Sequence, residues 1–163
     1  MTQLPPKNAC QLLDADHIAV KHLFVEYARL ATAPDATATQ PLRTKIAQKI
    51  CDELSVHAQI EEEIFYPAFR EAFPADADLV DEAAAEHNEA KQLIADIRQL
   101  GEATAAMDTL VAELNVAIEH HVKEERDELF PKIEAAQAVD LDALGAQLRE
   151  RQEELMDEIV AAA

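Results

Sequence analysis

Apolar residues recur along the chain at intervals of three and four, the spacing that gathers them on one face of an α-helix. Leu13, Val20, Phe24 and Ala31 form one such stripe, and Ile46, Ile50, Leu54 and Ile64 a second. Val80, Ile94 and Ile97 form a third, and Leu110, Leu114, Ile118 and Leu129 a fourth. Breakers punctuate the pattern: Pro5 and Pro6 precede the first stripe, Pro34 and Pro41 bracket the loop PDATATQP, Pro67 and Pro74 bracket a second break, and a third falls near Gly101 and Glu102. The spacing predicts helices over 9–33, 41–72, 76–100 and 106–136. Short connections make such helices antiparallel neighbours, so the expected fold class is all-α, an up-down-up-down antiparallel four-helix bundle over residues 9–136. The tail DLDALGAQLRERQEELMDEIVAAA carries Leu141, Leu144, Leu148, Leu155 and Ile159 on one side. It predicts an additional C-terminal helix within 137–163, packed on the outside of the bundle as part of the same domain. A dimer contact is the competing use of that face, so monomer and homodimer both stay open.

Composition narrows the picture. The chain has 163 residues, 49% of them apolar, with two Gly and no Trp, and a chain of this length buries about 68–70% of its unfolded surface without disulfide staples. Cys10 and Cys51 belong to no C-x2-C pair and read as plain reduced thiols. With 14 Lys plus Arg against 33 Asp plus Glu, the net charge is −19 and the basic residues are scattered singly. Such a surface repels phosphate backbones, which excludes nucleic acid as a partner. The longest stretch free of Asp, Glu, Lys and Arg is seven residues, far short of a membrane span. The opening MTQLPPKNACQLL shows no basic segment followed by an apolar one, so no secretory signal is read and the cytoplasm is the expected location.

Four histidines interrupt the stripes. His17, His57, His87 and His121 each stand on a different helix where Leu or Ile would be usual. In an antiparallel hairpin, residues equidistant from the turn lie at the same height. The midpoint of His17 and His57 is 37, that of His57 and His87 is 72, and that of His87 and His121 is 104, each inside one of the breaks. The four imidazoles are therefore expected in one layer of the core. Four neutral imidazole nitrogens around one cavity are a natural metal site.

Carboxylates complete the set. Glu61 follows His57 by four and Glu125 follows His121 by four, so each lies on the ligand face one turn further along. A buried Glu is costly unless paired or coordinating a cation. Four His and two Glu could hold two ions with the carboxylates bridging, and mixed N/O ligation with open positions suits iron. The halves of the chain also repeat each other: His-x3-Lys followed by His-x3-Glu-x5-Pro occurs as His17/Lys21 with HAQIEEEIFYP, and again as His87/Lys91 with HVKEERDELFP. A duplicated helical hairpin fits a symmetric two-metal centre.

The motifs DADHIAVK, HAQIEEEIFYP, EHNEAK and HHVKEERDELFP, in that order, resemble the hemerythrin-like, HHE cation-binding family over about residues 12–135. The resemblance implies a four-helix bundle holding a non-haem di-iron centre, two iron ions joined by an oxo or hydroxo bridge. It also implies His17, His57, Glu61, His87, His121 and Glu125 as ligands, and O2, peroxide or NO as the molecule bound or transformed. The chain departs from the oxygen-carrying hemerythrins at two places. Lys91 stands where they have a second histidine of His-x3-His, and Arg126 stands where they have the Asp of His-x4-Asp, with the carboxylate at Glu125. It is thus similar to the four-His, two-Glu branch, which includes the di-iron domain of bacterial iron–sulfur cluster repair proteins; their short cysteine-containing N-terminal domain has no counterpart here.

Other constellations fall away. Ferritin-like sites need Glu three residues before a ligand His, which none of the six histidines has; His-Glu-x2-His is absent too. His22 lies about 140° round the helix from His17, and His120 neighbours His121, so both are expected to face away. His120 and Glu124 repeat the His-x3-Glu spacing one residue out of phase, and a rotated helix would bring that pair inward instead. Lys21 and Lys91 read as solvated or paired with carboxylates at the core edge, with a gate or proton donor as the sharper alternative. Tyr27 and Tyr66 read as packing residues, and Glu62 and Glu63 as solvated, one of them free to orient a ligand histidine. The competing functional class is a structural or interaction module holding zinc or another cation without redox chemistry, because His and Glu suit zinc as well.

Overall fold

A computed structural model describes residues 4–163. Helix α1 spans Ala9–Ala31 and α2 spans Ala36–Ile60; α2 continues through a π-helical turn, Glu61–Phe65, into α3, Tyr66–Ala72. A 3-10 turn, Pro74–Asp76, leads to α4, Ala77–Leu100. Helix α5, Ala105–Glu124, continues through a second π-helical turn, Glu125–Leu129, into α6, Phe130–Ala135, and α7 spans Leu141–Ala162. The order α1, α2–α3, α4, α5–α6 closes a ring: α1 packs on α2 and α5, and α4 on α2 and α5. The fold is all-α, a four-helix bundle with an extra C-terminal helix, and no helix among the described residues is long and apolar enough to cross a membrane.

Local chemistry sets the ends. Asn8 and Gln11 form a reciprocal capping box at the start of α1, with contacts of 2.9 and 3.0 Å. Asp35, Thr104 and Asp140 cap α2, α5 and α7 through their side chains. Gly101 ends α4 at φ 75°, a left-handed conformation open to glycine without a Cβ penalty.

The first connection differs from the expected Pro34–Pro41 loop, because α2 begins at Ala36 and Pro41 lies inside it. Pro41 removes one rung of the helix. The surrounding turn is held instead by Asp35 capping the Ala38 N–H at 3.1 Å and by the Arg43 guanidinium donating to the Ala36 carbonyl at 2.7 Å. The tight turn therefore precedes the His17/His57 midpoint, yet the two rings meet. Helix side chains lean toward the N-terminus, so in antiparallel neighbours the tip of His17 leans away from this turn and that of His57 leans toward it.

Both π-helical turns have one cause. Pro67 and Pro131 carry no N–H and crowd the carbonyl four residues back. The chain widens just before each, with the Tyr66 N–H reaching five residues back to the Glu61 carbonyl and the Phe130 N–H to the Glu125 carbonyl. Such widened turns recur at functional sites.

The core is in two parts. One apolar cluster gathers Leu13, Ile60, Phe65, Val80, Leu129 and Leu148, and the other gathers Val20, Phe24, Ile50, Ile94, Leu114 and their neighbours. On every rod a histidine stands where the chain passes from one cluster to the other, with Val56 just ahead of His57 already in the first. The second cluster is pinned at its far end by buried Arg43, which binds Asp108; Asp108 in turn accepts from the Tyr27 hydroxyl at 2.7 Å.

Helix α7 lies across α1 and α2, burying Leu144, Leu148 and Leu155. It approaches closely: a Cβ added at Gly145 would stand 2.8 Å from backbone atoms of Lys7, Asn8 and Ala9. Gly145→Ala should accordingly lower the melting temperature, since overpacking costs about 1–3 kcal/mol while the gain in helix propensity is only about 1 kcal/mol. A raised melting temperature would contradict the docking.

Candidate metal centre

Six polar side chains fill the layer between the two apolar clusters: His17 of α1, His57 of α2, His87 of α4, His121 of α5, and Glu61 and Glu125, which open the two π-helical turns. All six are buried, and the two glutamates show no exposed surface. The imidazoles meet in pairs through their Nε2 atoms, His17 with His57 at 3.1 Å and His87 with His121 at 3.2 Å. The carboxylates stand between the pairs. Glu125 Oε1 lies 3.1 Å from Nε2 of both His17 and His121, while Glu61 Oε1 contacts His57 Nε2 and lies 3.8 Å from His87 Nε2. Donor atoms of His17, His57, Glu61 and Glu125 all lie within 4.8 Å of one another, as do those of Glu61, His87 and His121. Glu61 belongs to both groups.

A ring of carboxylates surrounds the imidazoles on their outer side. The Nδ1–H of His57 donates to Asp16 and that of His121 to Glu86, each at 3.0 Å. Asp14 lies 3.5 Å from His17 Nδ1 and Glu62 3.9 Å from His87 Nδ1. The two hydrogen bonds orient the rings of His57 and His121 with Nε2 turned inward, while Nδ1 of His17 and of His87 has no hydrogen-bond partner. Each carboxylate has its own neighbour: Arg126 donates to Asp14 at 2.6 Å, Gln152 to Asp16 at 2.8 Å and Lys91 to Glu62 at 2.6 Å, and His120 stands 3.3 Å from Glu86.

Electrostatics sorts the six groups. Burial pushes the Glu61 carboxyl well above its usual range, and the facing Glu125 adds to this. Burial acts on Glu125 in the same sense, but His121, Glu61 and His17 outweigh it and hold that carboxyl well below its usual range. His121 loses stability as a cation by burial, yet Glu125 and Glu86 lift it to about 11. Burial lowers His87 to about 3, with the neighbouring His121 adding to the effect, and burial also lowers His17. One internal ion pair, His121 with Glu125, thus serves a cluster of six.

The donor set fits a cation. With Nδ1 of His57 and His121 committed to carboxylates, Nε2 is the ring nitrogen left facing inward; on His121 it carries the proton shared with Glu125, which an incoming cation would displace. Both oxygens of the wholly buried Glu61 have no hydrogen-bond donor. Lone pairs that converge with too few donors among them are what a metal ion satisfies.

The sequence reading passed over one participant. Tyr66, expected to serve packing, places its hydroxyl 3.2 Å from His87 Nε2, 3.4 Å from Glu125 Oε2 and 3.5 Å from His121 Nε2. Burial, together with Glu125 and Glu61, raises its phenol well above the usual range. The signal lay in the repeat, where Tyr66-Pro67 corresponds to Phe130-Pro131: Phe130 stacks on His17 with ring centres 6.0 Å apart, and Tyr66 lies against His87 at 5.3 Å. Same position, one hydroxyl added.

The other singled-out residues lie outside the layer. His22 and Lys21 are exposed; Lys91 is bound to Glu62; His120 and Glu124 are 3.2 Å apart on the surface. Burial pushes the Cys10 and Cys51 thiols up to about 12 and about 11, and neither forms a disulfide. Over the imidazoles lies an apolar cavity of about 20 Å³, lined also by Leu54, Ala90, Ile94 and Ile118. It has room for one molecule of about the size of water. A larger cleft of about 530 Å³ runs between α1, α2 and α7, with Asp16, Glu53, Gln152 and Met156 in its walls and His17 and His57 at its inner end.

With this geometry in place, the comparisons assign the class. The family model described as hemerythrin HHE cation binding domain matches residues 8–133, and the chain belongs to that family. The fold is similar to the crystal structure of a hemerythrin HHE cation-binding domain-containing protein from Mycobacterium kansasii, with a TM-score of 0.73 and 21% identity, covering 95% of this chain and 91% of that one. A share that large leaves no room to omit the C-terminal helix. No curated protein matches the sequence.

The facing carboxylates also predict a trade between stability and binding. In metal-free protein, Glu61→Gln removes a wholly buried carboxyl that faces Glu125, and unfolding by denaturant should show a gain of about 1–2 kcal/mol. The same variant should lose the rise in melting temperature that added metal gives the wild type. A metal-free protein destabilised by the change would contradict the reading of Glu61 as a residue held against its own stability.

Proposed function

We propose that this protein is a non-haem di-iron protein of the hemerythrin-like type, with His17, His57, His87 and His121 as terminal ligands and Glu61 and Glu125 as bridges. Its centre binds or reacts with O2, peroxide or NO, in sensing, storage or detoxification. The observation that carries the reading is the pair of buried carboxylates, each contacting one imidazole from either pair, with both oxygens of Glu61 reached by no protein donor. Glu61 belongs to both donor groups, which is what a bridging carboxylate requires. Bound there, two iron ions supply redox-active Lewis acids with exchangeable positions for a small ligand.

The chain's own residues prepare the rest. Asp16 and Glu86 hold the rings of His57 and His121 so that Nε2 is the nitrogen turned toward the cation. The apolar cavity beside the imidazoles excludes bulk water and has the size and lining for a diatomic molecule. Tyr66 brings an un-ionised hydroxyl to the same place, a hydrogen-bond donor for a bound ligand or a holder of the proton that a reduced ligand needs.

Metal content per chain and an ultraviolet–visible spectrum of anaerobically purified protein, taken before and after air and azide, test this. About two irons per chain with near-ultraviolet bands that shift with azide are expected. A colourless protein holding zinc that iron does not replace would instead support the structural module. Glu61→Gln and His121→Ala should each lower bound iron, and full retention in both would refute the ligand set. Tyr66→Phe should keep the iron and alter the azide-shifted bands.

A further inference from the structure

The internal repeat supplies a control inside the molecule. Asp16 immediately precedes His17 and Glu86 immediately precedes His87. Each accepts the Nδ1–H of the second histidine of its own half, His57 or His121, at the same 3.0 Å. Beyond that point the halves part. Glu86 turns its other oxygen toward His120, which is 64% exposed, on the same rod as His121. Asp16 Oδ2, the oxygen that accepts from His57, also accepts from the Gln152 side-chain amide at 2.8 Å. Of the four side chains that hold the outer carboxylates, Arg126, Lys91 and His120 come from the rods that carry the ligands, and Gln152 alone comes from α7.

We infer that Gln152 is a positioning residue: α7 sets Asp16, Asp16 sets His57, and the His17/His57 half of the centre is thereby made unequal to the His87/His121 half. This rests on the two-cation reading above. A carboxylate with one donor can rotate about its last bond and offer either oxygen. A second donor on the same oxygen, carried by a helix locked against α1 through Gly145 and against Glu63 through Arg151, removes that freedom. The imidazole of His57 then presents Nε2 in one orientation before any cation arrives, and preorganised ligands bind more tightly because less order is lost on binding. Glu86, whose second oxygen is buried near His120 without a hydrogen-bond donor, has no such anchor. Gln152 also lies in the wall of the cleft that ends at His17 and His57, so the coupling runs along an accessible face of the protein.

The test is a titration of full-length, metal-free protein with Co2+ against a chromophoric chelator, which yields two stepwise dissociation constants. Gln152→Met keeps the volume without a donor, Gln152→Glu keeps the shape but turns an oxygen toward Asp16, and Gln152→Lys keeps a donor. The Met and Glu variants should weaken one of the two constants by about 3–10-fold, the worth of one hydrogen bond, and leave the other within about twofold. The Lys variant should restore most of the loss, and the melting temperature of the metal-free protein should stay near wild type in all three. Equal weakening of both constants, or constants unchanged in the Met and Glu variants, would overturn the positioning role. If the wild type binds fewer than two Co2+, the two-cation reading falls and the inference falls with it. Two ions bound with indifferent Gln152 variants would remove the inference alone.

Discussion

Two carboxylates and four imidazoles occupy the middle of an apolar core, all of them buried, and the rest of the structure is arranged around that burden. An uncompensated buried charge costs on the order of several kcal/mol, and the protein itself offers Glu61 and Glu125 one ion pair and a few contacts from histidine nitrogens. A second carboxylate ring, Asp14, Asp16, Glu62 and Glu86, stands at the edge of the layer, and Asp16 and Glu86 draw the Nδ1–H groups of His57 and His121 outward. The Nε2 atoms are then left facing the carboxylates inside. Such a layer weakens the bundle and readies it for a cation, which is the exchange of stability for function expected at binding sites. Two apolar clusters, one on either side, supply the burial that lets the layer persist.

Duplication explains how so short a chain builds it. Each half contributes a helix with one histidine in the layer, then a rod with His-x3-Glu and a proline six residues after the glutamate. The proline converts the intervening turn to π geometry, and the widened turn starts at the glutamate in both halves. Small departures from the repeat then give the two halves separate roles. Tyr66 reaches the donor atoms where Phe130 only stacks, and Glu62 pairs with Lys91 where its counterpart Arg126 turns to Asp14.

The C-terminal helix belongs to this asymmetry. It covers α1 and α2 but not the opposite pair of rods, so one side of the layer is walled and partly clefted while the other meets solvent at His120 and Glu124. Its hydrophobic face explains why it docks, and Gly145 explains how closely. The polar side chains it brings with it, Gln152 and Arg151, reach residues next to the candidate ligands.

By itself the sequence determined the helical class, the four rods and the layer of polar residues, because periodicity, prolines and the spacing within one helix are local properties. His57 with Glu61, and His121 with Glu125, needed only the pitch of a helix to be placed on one face. The start of α2 was misplaced because Pro41 resembles a boundary and is tolerated only through Asp35 and Arg43, a local compensation that the residue pattern does not advertise. The tertiary structure alone decided which imidazoles pair, that each glutamate touches both pairs, that Tyr66 joins them, and that Gln152 holds Asp16 from 136 residues away. Those facts depend on the distances between rods and on the side that α7 covers. Packing of whole faces against one another fixes both, and no run of neighbouring residues encodes it.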